Sequence, residues 1–185
     1  MNFIEIYDDA LLSEECLSLI KQFENSDNII DGGFTDDNNN FYVDHTKKKD
    51  IELLGLKFSD QSSISKILWN PLCNCLQEYS KKYQCLNYIH VGKIDDKYNF
   101  QKYSSEEDGY KSWHTEHGAG VNSSRVLAWM FYLNDAISGT EFINFPTVKP
   151  KQGRCVIWPA GFTHVHRSEP NIGIKYLVTG WISFV

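Results

Sequence analysis

Apolar and polar residues alternate from Phe3 to Tyr7, the two-residue period of a half-buried strand, and Asp8-Asp9 ends the run. The stretch from Leu11 to Phe23 reads as a helix, with Ser13 as its N-cap and Glu14 and Glu15 suited to the positive end of the helix dipole. Between Asn25 and Asp50 no period is sustained. Asp31-Gly32-Gly33 and Asn38-Asn39-Asn40 mark a loop region, with one short strand around Phe41-Tyr42-Val43. Ile64, Ile67, Leu68, Leu72, Cys75, Leu76, Tyr79 and Tyr83 then recur at three- and four-residue steps. That spacing predicts an amphipathic helix over residues 63–83, which Pro71 should kink or split.

After residue 95 the texture becomes aromatic and β-branched runs separated by Gly, Asp, Asn and Pro. Strands are predicted for Tyr98 to Tyr103, Arg125 to Leu133, Thr140 to Phe145, Arg154 to Trp158 and Lys175 to Val185, with turns at Gly139 and Gly153. Helices come first and strands follow. The expected class is therefore α+β, with N-terminal helices packed on one face of an antiparallel sandwich or barrel. No internal repeat or linker divides the chain, so residues 1–185 are expected to form one domain, with a helical part over 1–95 and a strand-built core over 96–185.

Composition narrows the function. The net charge of −6 supplies no electrostatic footprint for nucleic acid, and Lys47-Lys48-Lys49 runs straight into Asp50, so it reads as a solvated turn. No apolar stretch approaches a membrane span and the N-terminus lacks the pattern of a secretory signal, so the expectation is a soluble, cytoplasmic protein. Five cysteines without CxxC spacing read as reduced core residues.

Four of the six histidines fall in two short clusters, Trp113-His114-Thr115-Glu116-His117 and Thr163-His164-Val165-His166. On one extended strand His114 and Glu116 point to the same side, because side-chain direction repeats every two residues. One strand can therefore offer an imidazole and a carboxylate to one ion, and a histidine from a later strand, His164 or His166, completes a facial triad that leaves coordination positions open.

From about Phe100 to the C-terminus these residues resemble the prolyl-4-hydroxylase-like Fe(II)/2-oxoglutarate-dependent oxygenases. In that family a His-x-Asp or His-x-Glu pair is followed some tens of residues later by a distal His and then by a basic residue. Here 52 residues separate His114 from His166, and nine separate His166 from Lys175. That spacing, with Pro170 four residues after the ligand, favours His166 over His164. The resemblance implies a double-stranded β-helix (jelly-roll) core, with Trp158-Pro159-Ala160 and Thr179-Gly180-Trp181-Ile182 in its closing strands. It implies Fe(II) held by His114, Glu116 and His166, and 2-oxoglutarate as co-substrate clamped by Lys175, Tyr132, Thr179 and Tyr103. Arg125 and Trp181 would lie on the substrate side. The implied reaction consumes O2 and 2-oxoglutarate, releases succinate and CO2, and hydroxylates an unactivated C–H bond.

The substrate expected on this basis is a prolyl residue of a peptide, with a free amino acid or other small molecule as the alternative. A jelly-roll module that holds zinc without turnover is the reading of another class. Glu116 stands where Asp is more usual and carries its carboxylate one methylene further out. The segments Asn25 to Asp50, Ser104 to Gly109 and Gly118 to Ser124 are expected to form lids.

Overall fold

The computed structural model describes residues 2–35, 40–89 and 91–185, so His90 and Asn38-Asn39 lie outside the described residues. The first half contains β1 (Glu5–Tyr7), α1 (Ser13–Glu24), β2 (Ile29–Asp31), β3 (Phe34–Thr35), β4 (Phe41–Tyr42), β5 (Lys48–Lys49), β6 (Ile51–Leu53), α2 (Ser63–Lys82) and β7 (Val91–Ile94). Then come β8 (Asn99–Tyr103), β9 (Gly109–Tyr110), β10 (Arg125–Tyr132), β11 (Thr140–Phe142), β12 (Phe145–Val148), β13 (Cys155–Pro159), β14 (His166–Ser168) and β15 (Lys175–Phe184).

A major antiparallel sheet runs in the order β1, β13, β10, β15, β8, β6, β2, and β7 also pairs with β15. A second sheet, β12, β11, β14, faces it and makes the other wall of the double-stranded β-helix. The expected segregation of helices before strands is corrected here. β1, β2 and β6 come from the N-terminal half yet extend the major sheet at both ends.

The two faces of the major sheet carry different chemistry, and residue parity separates them. On β10, Leu127, Trp129 and Phe131 turn toward the helices, while Ala128, Met130 and Tyr132 turn into the jelly roll. β15 follows suit: Tyr176, Val178 and Ile182 face the helices, and Leu177 and Trp181 face inward. Both faces are covered, which is why β10 reads as an unbroken apolar run.

The helices lie on the outer face through Cys16, Leu19 and Phe23 of α1 and Ile64, Leu68, Leu72, Cys75 and Tyr79 of α2. α2 is one 20-residue helix with Pro71 inside it, so the predicted split does not occur. Proline inside a helix costs about 3 kcal/mol. Burying Leu68 and Leu72, on either side of it, returns roughly 1.5–3 kcal/mol each, so packing outweighs the lost backbone bond.

Local expectations are corrected at four further points. Leu12, not Ser13, is the N-cap of α1, and its N–H is satisfied by Glu15 Oε2 at 2.8 Å. The run from Thr140 to Phe145 is a hairpin of β11 and β12 rather than one strand. Among its described residues the loop from Asn25 to Asp50 contains four short strands. Lys48 is not solvated: it is 2% exposed and ion-paired with Glu52, and its Nζ stands 3.5 Å from Asp50 Oδ2. Burial opposes the Lys48 charge, but the two carboxylates outweigh it and hold the ammonium protonated. All five cysteines are free; Cys16, Cys75 and Cys155 are buried, whereas Cys85 is exposed.

Gly180 of β15 lies opposite Trp129 of β10, and a Cβ there would come within 2.4 Å of the indole Cζ2. Gly180→Ala is expected to destabilise the fold by about 1–3 kcal/mol, the usual cost of overpacking. Equilibrium urea unfolding checks this, and an unchanged midpoint would show that Trp129 moves aside freely.

Candidate active site

The inward face of the major sheet borders a cleft of about 720 Å³. His166 opens β14, opposite Phe142 of β11. His114 lies outside the named strands but in the extended arrangement expected. It sits in an extended segment tied to β14 by a reciprocal pair of backbone bonds, His114 N–H to His166 O and His166 N–H to His114 O, both 3.0 Å. The N–H groups of Glu116 and His117 both donate to Ala160 O, at 3.1 and 2.9 Å, which pins the other end of the segment to the end of β13.

Side-chain bonds then aim the donors. His114 Nδ1–H donates to Ser112 O and His166 Nδ1–H to His164 O, each at 2.9 Å, which leaves both Nε2 lone pairs facing the cleft. Glu116 Oε1 stands 3.7 Å from His114 Nε2 and 3.3 Å from His166 Nε2. The three donors lie within 4.8 Å of one another, close enough to hold one cation. Burial pushes the His114 imidazole toward its neutral form. Burial raises the Glu116 carboxyl, but its contacts with the His114 and His166 rings outweigh this and hold it well below the usual carboxylate range. A neutral imidazole at His114 beside an ionised Glu116 suits a divalent cation.

The surroundings hold the triad rigid. Tyr110 stacks on His114 with ring centroids 3.4 Å apart, and Phe142 and Trp158 flank His166. Trp181 Nε1–H donates to Glu116 Oε2 at 2.7 Å, so one carboxylate oxygen is held by the indole while the other faces the imidazoles. Arg125 lies over the Trp181 ring at 3.5 Å and donates from Nη1 to Glu116 O at 3.2 Å. This settles the reach of the longer glutamate, because Trp181 and Arg125 together hold it from behind. Neither the Tyr110 stack nor the Trp181 bond shows in any sequence period.

The remaining predicted residues divide. Tyr103 and Thr179 line the cleft with Thr140 and Gln101. Thr179 Oγ1 donates to Trp129 O at 2.8 Å, and Tyr103 OH donates to Gln101 Oε1 at 3.2 Å. Lys175 lies under the Tyr103 ring, 4.8 Å from its centroid, and donates to Ser138 O at 3.1 Å. Tyr132 is buried behind Thr140, with 2.7 Å between their hydroxyls. His164 belongs to another cavity: its Nδ1 meets Thr163 Oγ1 at 2.8 Å and its Nε2 meets Asn2 O at 2.7 Å. Of the expected lids, Gly33 and Phe34 from the first and Val121 and Asn122 from the third wall the cleft. The second is instead closed on itself by Asp108, which accepts from Ser104 and Ser105.

Residues 98–183 match the family model of the 2OG-Fe(II) oxygenase superfamily. The matched segment carries all three donors, and the match marks the chain as an enzyme dependent on Fe(II), 2-oxoglutarate and O2. No curated protein matches it in sequence.

Among solved structures it is similar to a prolyl hydroxylase from Trichoplax adhaerens in complex with a hypoxia inducible factor peptide fragment (TM-score 0.74, 16% identity, 100% of this chain and 84% of that one). It is also similar to a prolyl-4-hydroxylase from Pseudomonas putida (TM-score 0.71, 13% identity, 100% and 94%). The epimerase SnoN from nogalamycin biosynthesis also matches (TM-score 0.61, 12% identity, 99% and 78%). At these identities the likeness shows the fold, and the third shows that the fold serves reactions other than hydroxylation.

Trp181→Phe keeps a ring beneath Arg125 but removes the donor to Glu116. Divalent-metal affinity, measured by Co(II) titration calorimetry, should fall about 10–100-fold, the usual effect of losing a group that orients a ligand. Unchanged affinity would mean that the indole does not position the carboxylate.

Proposed function

We propose that the chain hydroxylates a prolyl residue of a peptide, with Fe(II) held by Nε2 of His114, Nε2 of His166 and Oε1 of Glu116. The observation that carries this reading is the convergence of three donors on one side of the 720 Å³ cleft. Two imidazoles and one carboxylate suit Fe(II) and leave positions free on the cleft side. A structural zinc site takes four protein ligands, and among the described residues this group has three, which favours an open site over the non-catalytic module.

The bound iron and 2-oxoglutarate supply the oxidising chemistry, with release of succinate and CO2. The chain's own residues position the reactants and exclude water. Lys175, under the Tyr103 ring of the cleft wall and donating to Ser138 O, provides the positive charge for the distal carboxylate of 2-oxoglutarate, with Tyr132 bracing the wall residue Thr140 from behind. Trp181 keeps Glu116 Oε2 away from the triad's open side, and Arg125 steadies the indole. The peptide substrate is supported by the peptide-bound structural neighbour and by a cleft with room beyond the co-substrate.

Purified protein should convert 2-oxoglutarate to succinate only with Fe(II) and O2, and a proline-containing peptide should stimulate it more than free amino acids or nucleosides. His114→Ala and His166→Ala should each abolish turnover. Full activity in either variant would contradict the ligand assignment, and stimulation by free amino acids alone would replace the peptide with a small molecule.

Burial brings the Lys175 ammonium down to about 8. A dicarboxylate binds the protonated form, so its affinity should be flat below about pH 8 and weaken up to about tenfold per pH unit above it. Calorimetry across that range checks this, and Lys175→Met should remove the step. A step that persists in the variant would assign the titration to another group.

A further inference from the structure

Beyond Trp181 the cleft opens between Lys57, Lys93 and Lys97. Lys57 and Lys97 face each other in an isolated antiparallel bridge, and Lys93 lies on β7 beside Ser183 of β15. Like charges directly opposite each other destabilise a strand pair. Among the described residues, no ion pair or hydrogen bond engages these three ammonium groups. Elsewhere on the surface Lys49, Lys82, Lys102 and Lys149 each have a carboxylate partner.

Among the described residues two carboxylates share the mouth, Asp95 and Asp96. Asp96 accepts from Ser59 N–H at 2.7 Å and Ser59 Oγ at 2.8 Å, and these bonds, with the nearby charges of Lys57 and Lys93, keep it ionised. Asp95 acts on the Arg125 guanidinium, raising its affinity for a proton against burial. Among the described residues the mouth thus sets four cationic side chains against two carboxylates, on a chain whose net charge is −6. Unpaired like charges at the opening of a functional cleft are a local violation that a ligand relieves.

We propose that this mouth selects acidic peptides. The residue to be hydroxylated enters toward the triad, and carboxylates of flanking residues lie on Lys57, Lys93 and Lys97. This rests on the hydroxylase reading above and adds the substrate class. Three ammonium groups on two separate segments suit a ligand with several spaced carboxylates rather than one compact anion. A nucleic acid extending past the mouth would meet the acidic remainder of the surface.

The test uses protein loaded with Mn(II) and 2-oxoglutarate, and fluorescein-labelled peptides with a central proline flanked by Glu, Gln or Lys. A labelled single-stranded oligonucleotide is the further probe. Anisotropy should show the Glu peptide binding on the order of tenfold or more tighter than the Gln peptide, an advantage that shrinks as salt rises. Lys93→Glu/Lys97→Glu, both exposed positions, should abolish it. The charge-matched Lys21→Glu/Lys66→Glu, on the outer helices, should keep it. Equal binding of Glu and Gln peptides, tighter binding of the oligonucleotide, or loss of preference in both double variants would overturn the proposal. Succinate release by the Fe(II) enzyme without peptide, followed in parallel, separates the two readings. If it is present while the charge preference is absent, the mouth proposal alone fails; if it is absent, the hydroxylase reading fails too.

Discussion

The site depends on two backbone hydrogen bonds, the reciprocal pair between His114 and His166. Residues 52 apart in sequence are brought opposite each other in a narrow antiparallel bridge, so both imidazoles leave the backbone on the same side. Each ring is then locked by an Nδ1–H bond to a carbonyl two residues before it. The same local device, used twice, leaves Nε2 of each ring free. Glu116, two residues beyond His114, follows by alternation and is completed from behind by Trp181 and Arg125.

The bridge in turn needs a rigid sheet beneath it. Parity along β8, β10 and β15 sends large apolar side chains outward to α1 and α2 and keeps Tyr103, Thr179 and Trp181 on the inner wall, with Lys175 buried against the Tyr103 ring. A shift of one residue in the pairing of β15 with β10 would exchange these sets and put Val178 in the cleft. The register is therefore a functional constraint as well as a structural one. Gly180, the position where Trp129 leaves no room for a Cβ, helps to set it.

Much of this was legible in the sequence. The amphipathic period of α2, the unbroken apolar run of β10 and the two-residue spacing of His114 and Glu116 each report a local geometry that sequence encodes directly. The distal histidine was not local: spacing to Lys175 pointed to His166, and the structure brings His166, not His164, to the triad. What stayed hidden are contacts between distant segments, such as Tyr110 on His114 and Trp181 on Glu116, which have no period to betray them. Lys48 is instructive, because a signal was present. Lys48, Asp50 and Glu52 recur every second residue, the pattern of one strand face, and that face is buried against Gln101. Taking the lysine run as solvated overlooked its partners.

The central claim is that these three side chains form a single open cation site with Glu116 bound through one oxygen. Anomalous diffraction from a crystal loaded anaerobically with Fe(II) tests it most directly. The expected result is one ion per chain at about 2.0–2.2 Å from Nε2 of His114, Nε2 of His166 and Oε1 of Glu116, with Oε2 still on the Trp181 indole. A fourth protein ligand on the ion, or an ion bound elsewhere with the triad empty, would contradict it.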